Sequence, residues 1–198
     1  MDNDLDRFAH PTYLIRKQFF KIFGERFHIY GPGEELVLYT KMKAFKLKED
    51  IRLYEGEQMQ RELLVIRARS VIDWGATYDV VDPQSQEKVG SLRRKALKSI
   101  LRDEWMIFDE NDREIGTIVE DSTIQAIVRR FVDFASLLMP QAFHVEMGGQ
   151  TVATFKQRIN PFIQKIDLDF TADTQGAFDR RLGLAAGVLM AAIEGRQS

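Results

Sequence analysis

The sequence predicts a mainly β protein, a closed twelve-stranded antiparallel barrel of repeated hairpins wrapped around its own C-terminal helix. Three observations predict it. A hairpin pattern recurs five times along the chain, single strand-like runs precede and follow the five, and the longest uncharged apolar run, residues 182–193, lies near the C-terminus. Five hairpins and two flanking strands make twelve strands, and a sheet that long is freed of its open edges only by closing on itself.

The hairpin units begin at residues 27, 51, 78, 105 and 143. In the first, residues 27–30 pass through Gly31, Pro32 and Gly33 into 36–39. The second runs from 51–54 past Gly56 to 63–66, and the third from 78–81 through Asp82 and Pro83 to 89–92. The fourth joins 105–108 to 115–118 through residues 109–112. The fifth joins 143–146 to 152–155 through Gly148 and Gly149. Each arm is β-branched and aromatic, and each turn holds Gly, Pro, Asn or Asp, residues that take positive or preset φ angles at little expense. The flanking strands are 13–22, where alternation is partial, and 165–170, where Ile166, Leu168 and Phe170 alternate with Lys165, Asp167 and Asp169.

A barrel of twelve strands is too wide for its own side chains to fill, since eight already leave room for only side chains or one small ligand. Residues 182–193 are apolar on every side, as a helix surrounded by protein must be. A membrane span needs about 20 apolar residues, so this segment reads as a core plug and the chain as not transmembrane. The longest gap between units is explained by an inserted amphipathic helix near 122–139. Ile124, Ile127, Val128, Phe131, Ala135 and Leu138 recur there at helical spacing, Asp121 or Ser122 supplies an N-cap, and Pro140 ends the run.

The chain has 198 residues, a net charge of −2, a pI near 6.0 and no cysteine. Bulk charge therefore drives binding to neither nucleic acid nor membrane, and disulfides, thiolate metal sites and thiol catalysis are excluded. The acidic start, from Met1 to Asp6, lacks the apolar core of a signal peptide, so a cytoplasmic setting is expected. Residues 1–10 are expected to be flexible, within one domain spanning 1–198.

Enzyme signatures are missing: there is no nucleophile elbow, phosphate loop, dinucleotide fingerprint or zincin helix. No cofactor is expected. Residues 109–120 match a calcium loop only in part, because Arg113 takes a ligand position and Glu114 stands where the sharp turn needs Gly, so 109–114 reads as a hairpin turn. Asp167, Asp169 and Asp173 gather before the last helix as weak candidates for a hard cation, though their spacing fits no defined loop. The strongest ligand candidate is the basic run of Arg93, Arg94, Lys95, Lys98 and Arg102, suited to phosphate headgroups. Phe131, Phe134, Leu137 and Met139 of the inserted helix are candidates for touching lipid or a partner protein.

The opening run Tyr13, Leu14, Ile15, Arg16, Lys17, then residues 27–30, the repeated hairpins, and the closing Asp167, Leu168, Asp169, Phe170 before an apolar helix together resemble the LURP-one-related proteins. Those proteins group with phospholipid scramblases and the tubby C-terminal domain. The resemblance extends from about Tyr13 to Glu194 and implies a twelve-stranded barrel threaded by its last helix. Tubby domains bind phosphoinositides through cationic residues, and the run from Arg93 to Arg102 is the analogue here. Scramblases carry a calcium segment before the last helix and palmitoylated cysteines; this chain has the acidic residues and no cysteine. The expected function is a non-enzymatic barrel that binds an anionic ligand such as phospholipid headgroups. A protein-interaction module built on 122–139 is the alternative, with scrambling or an unrecognised enzyme behind it.

Overall fold

The computed structural model describes residues 6–20, 24–42, 50–70, 76–95, 104–121, 141–158 and 163–194. Twelve strands follow one another: β1 (Thr12–Phe20), β2 (Gly24–Tyr30), β3 (Leu36–Met42), β4 (Ile51–Tyr54), β5 (Glu62–Ser70), β6 (Thr77–Val81), β7 (Lys88–Arg94), β8 (Glu104–Phe108), β9 (Glu114–Glu120), β10 (Ala142–Met147), β11 (Gln150–Arg158) and β12 (Gln164–Asp169). Helix α1 (Arg180–Glu194) follows β12. Each strand pairs antiparallel with its sequence neighbours, and β1 pairs with β12, from Thr12 opposite Asp169 to Lys17 opposite Gln164. The barrel is closed. The inserted helix expected near 122–139 lies outside the described residues.

Closure needs twist, and the hairpins supply it in a repeated way. Each of the five has a register shift as it nears its turn, at Ile29/Tyr30, Leu53/Tyr54, Val80/Val81, Ile107/Phe108 and Val145/Glu146. Such bulges bend a strand and increase its right-handed twist. The turns differ from expectation in one respect. Gly148 and Gly149 do take positive φ, but in the other four turns the left-handed position falls to Glu34, Met59, Gln86 and Asp112 rather than to Gly31, Gly33 or Gly56. The first and fourth turns share one construction. Gly31 N–H bonds Glu35 O while Glu34 N–H bonds Gly31 O, and Asp109, Arg113 and Asp112 repeat the pattern. It is a type I turn followed by a left-handed residue, the usual three-residue hairpin loop.

Inward side chains follow the pleat: Tyr13 and Ile15 on β1, Phe27 and Ile29 on β2, Trp105 and Ile107 on β8, Phe155 on β11, Ile166 and Leu168 on β12, all at most 3% exposed. They close on α1, whose residues from Leu182 to Ala192 are buried. The helix faces β1 with its smallest residues. A Cβ on Gly183 would collide with the Phe170 ring, and one on Gly187 with Ile15 Cδ1. Four residues of helix rise about 6 Å, and two residues of strand about 6.6 Å. The step from Gly183 to Gly187 to Ala191 therefore keeps pace with the step from Tyr13 to Ile15 to Lys17. Tyr13 meets Phe170 edge-on at 6.0 Å, Gly187 takes Ile15, and Ala191 meets Lys17.

The two ends of the cylinder differ. At the mouth, α1 enters and the five tight turns lie. The connections β1–β2, β3–β4, β5–β6, β7–β8, β9–β10 and β11–β12 all leave by the far end. Residues 6–10, within the segment expected to be flexible, are fastened near the mouth. Arg7 Nη1 donates to Val37 O at 2.9 Å and Glu55 O at 3.3 Å, and Tyr13 Oη donates to Arg7 O at 3.0 Å. Burial pushes the Tyr13 hydroxyl up to about 12.

Candidate anion-binding surfaces

The pleat divides the basic run. Arg93 lies on the outer face of β7 opposite Met106, while Arg94 shares the inward parity of Leu92 opposite Trp105. Arg93 is exposed; its Nε donates to Thr77 Oγ1 at 3.1 Å, and its guanidinium covers the Phe108 ring at 4.7 Å from the centroid. No carboxylate meets it among the described residues. Lys95 is paired with Glu104 Oε1 at 2.9 Å. Lys98 and Arg102 lie outside the described residues, as do Phe131, Phe134, Leu137 and Met139.

The aspartates before α1 hold the chain in place. Asp167 accepts two bonds of 2.6 Å from Arg158 across the β11–β12 pair. Asp169 accepts from the Thr171 amide and hydroxyl. Asp173 has a side chain only 1% exposed and accepts from Ala177 N at 2.7 Å, Phe178 N at 3.0 Å and Arg180 Nη1 at 2.5 Å. Burial alone would raise its pKa, but the two amides and the guanidinium outweigh burial and hold the carboxyl below its ordinary value. Asp179 is the N-cap, accepting from Arg181 N at 2.8 Å. Among the described residues no group of three His, Asp or Glu is placed to hold a metal. The 109–114 turn is closed by Asp109, whose Oδ1 accepts from the Asn111 and Arg113 amides.

Two arrangements escaped the sequence. The first is inside. Lys17 takes an inward position, pairs with Glu25 Oε1 at 3.0 Å and donates to Ala191 O at 2.6 Å. It thus satisfies a last-turn carbonyl of α1, a helix with no basic residue of its own in that turn. Partial alternation on β1 was the available signal, but nothing in the sequence says which side of the strand is inside.

The second is outside. Register sets Arg158 opposite Lys165, Lys165 opposite Arg16, and Arg16 opposite His28, a basic row across β11, β12, β1 and β2. The outer members have carboxylate partners, Asp167 for Arg158 and Glu57 for His28 at 2.9 Å. Arg16 and Lys165 have none among the described residues. Arg16 stacks over the Tyr30 ring at 5.5 Å, and its Nε is buried without an acceptor.

Charge is also sorted along the barrel axis. Each of the first four mouth turns carries at least two carboxylates: Glu34 and Glu35; Glu55 and Glu57; Asp82 and Glu87; Asp109, Glu110 and Asp112. Arg61 and Arg113 are the cations within these turns, while Arg69 and Lys88 reach in to pair with Asp112, Arg181 with Asp82 and His10 with Glu35. By sequence alone, the segments that join β1 to β2, β3 to β4, β5 to β6, β7 to β8 and β9 to β10 hold Lys21, Lys43, Lys46, Lys48, Lys95, Lys98, Arg102, Arg129 and Arg130 against Glu49, Asp50, Asp73, Asp103, Asp121 and Asp133. A net charge of −2 conceals this separation.

No helix among the described residues is long and apolar enough to cross a membrane. A search of curated proteins finds no match. Among solved structures, the chain is similar to the X-ray structure of a protein from Arabidopsis thaliana, with 11% identity, a TM-score of 0.48, and coverage of 96% of this chain and 95% of that one. The LURP-one-related family model matches residues 36–191, from the start of β3 through β12 into the last turn of α1, and on that match the chain belongs to the LURP-one-related family.

Proposed function

We propose that the protein is a non-enzymatic barrel that docks on anionic phospholipid surfaces with its far end, using Arg93 and the basic run that continues from it. The observation that carries this reading is the sorting of charge: carboxylates crowd the mouth, while Arg93 projects near the far end with no carboxylate partner among the described residues. An anionic surface repels the first and attracts the second. Arg93 stacked on Phe108 is held ready for a headgroup, since a fixed guanidinium loses less freedom on binding than a free one.

Flotation with vesicles tests it. Wild-type protein is expected to float with phosphatidylserine-containing vesicles at low salt and to detach as salt rises, and to ignore phosphatidylcholine alone. Each basic residue near such a surface contributes about 1 kcal/mol. Replacing Arg93, Arg94, Lys95 and Lys98 by Gln is therefore expected to lower partitioning by at least about fivefold, the share of the outward Arg93 alone. No flotation at low salt, or flotation indifferent to the four substitutions, would refute the proposal.

A further inference from the structure

We propose that Arg16 and Lys165 form a second, discrete binding site for a phosphate group, on the outer wall of the barrel at the seam where β12 meets β1. The site does not depend on the docking surface described above. β1 and β7 stand six places apart in a closed ring of twelve strands, so Arg16 and Arg93 lie on opposite sides of the cylinder.

Directly opposed like charges destabilise a sheet. Across this seam Arg16 and Lys165 face each other in register, and Arg158 and His28 extend the row on either side. Asp167 and Glu57 partner the outer two. Nothing among the described residues does so for the inner pair, although both side chains are half-buried and so less screened than a fully exposed pair. An anion seated between them turns that repulsion into attraction. The Tyr30 ring under the Arg16 guanidinium fixes the planar fork, and its Nε–H has no acceptor in a protein where buried donors are normally satisfied. A planar fork beside a compact ammonium suits a phosphate monoester, which carries close to two negative charges and three acceptor oxygens. A free phosphorylated small molecule and a phosphate-bearing headgroup share that chemistry.

The test is an NMR titration of the arginine Nε–H signals of the whole chain at constant ionic strength. Inorganic phosphate is expected to shift the Arg16 signal along a saturating curve that chloride does not reproduce. Lys165→Gln is expected to weaken that curve by about tenfold, the loss of one charge-assisted bond. Arg16→Lys, which keeps the charge and removes the fork, is expected to weaken phosphate binding as well, read from the Lys165 ammonium. Arg93→Gln should leave the Arg16 curve unchanged, which separates this site from vesicle docking. Glycerol phosphate binding more tightly than inorganic phosphate would assign a soluble ligand; displacement of phosphate by phosphatidic acid vesicles and not by phosphatidylcholine would assign a headgroup. A linear, unsaturating shift, or a curve identical in Lys165→Gln, would overturn the site.

Discussion

The two ends of α1 are satisfied by opposite means. At the mouth, every group that receives the helix is local: Asp179 caps the first turn, and Asp173 gathers two amides and the Arg180 guanidinium from no more than seven residues away. At the far end the helix brings nothing of its own, and Lys17 reaches Ala191 from a strand 174 residues earlier, balanced by Glu25. The local end can form as soon as the chain turns after β12. The distant end exists only once β1 is in place, so the last turn of α1 and the closure of the barrel are tied to each other.

Substitutions at the two ends sharpen this contrast. The largest effect is expected at the far end. Lys17→Met leaves the Glu25 carboxylate buried without its cation and should cost about 4 kcal/mol in denaturant unfolding. Adding Glu25→Leu should recover most of that loss, and a double variant no better than the single one would break the pairing account. At the mouth, Asp173→Ala strands two amides and a guanidinium and should cost about 3 kcal/mol.

Asp173 also gives the mouth a pH signature that is checked by acid titration of stability. Its folded pKa is depressed, so its contribution is complete above the ordinary aspartate value, about 3.9, and drains away as pH falls through the folded value. Asp173→Asn should flatten that part of the stability curve. Between the two ends, Gly187→Ala drives a methyl into Ile15, and overpacking of this kind should cost about 1–3 kcal/mol even though Ala is the better helix former. Asp179→Ala removes only an N-cap, about 1 kcal/mol by thermal melts.

The same contrast explains what could be read in advance. All twelve strands were legible, because alternation and turn chemistry are local, and the buried helix was legible because residues 182–193 carry no charge to place in water. Turn handedness was misread where Gly31 and Gly56 attracted attention and Glu34 and Met59 took the left-handed angle, a choice set by hairpin loop length rather than by residue preference. The basic run was legible as composition but not as a surface, since the pleat sends Arg93 and Arg94 to opposite faces and Glu104 claims Lys95. Lys17 and the row through Arg16 and Lys165 were hidden because they depend on the register of β1 against β12, strands at opposite ends of the chain.

Native-state hydrogen exchange of the α1 amides tests most directly whether the helix sits dry within a closed wall. Amides from Leu184 to Met190 should exchange only through global unfolding, with protection equal to that of inward strand amides such as Ile166, and Lys17→Met should lower both together. Exchange of the helix well ahead of the strands would contradict the account, because it would mean that α1 can leave while the barrel remains.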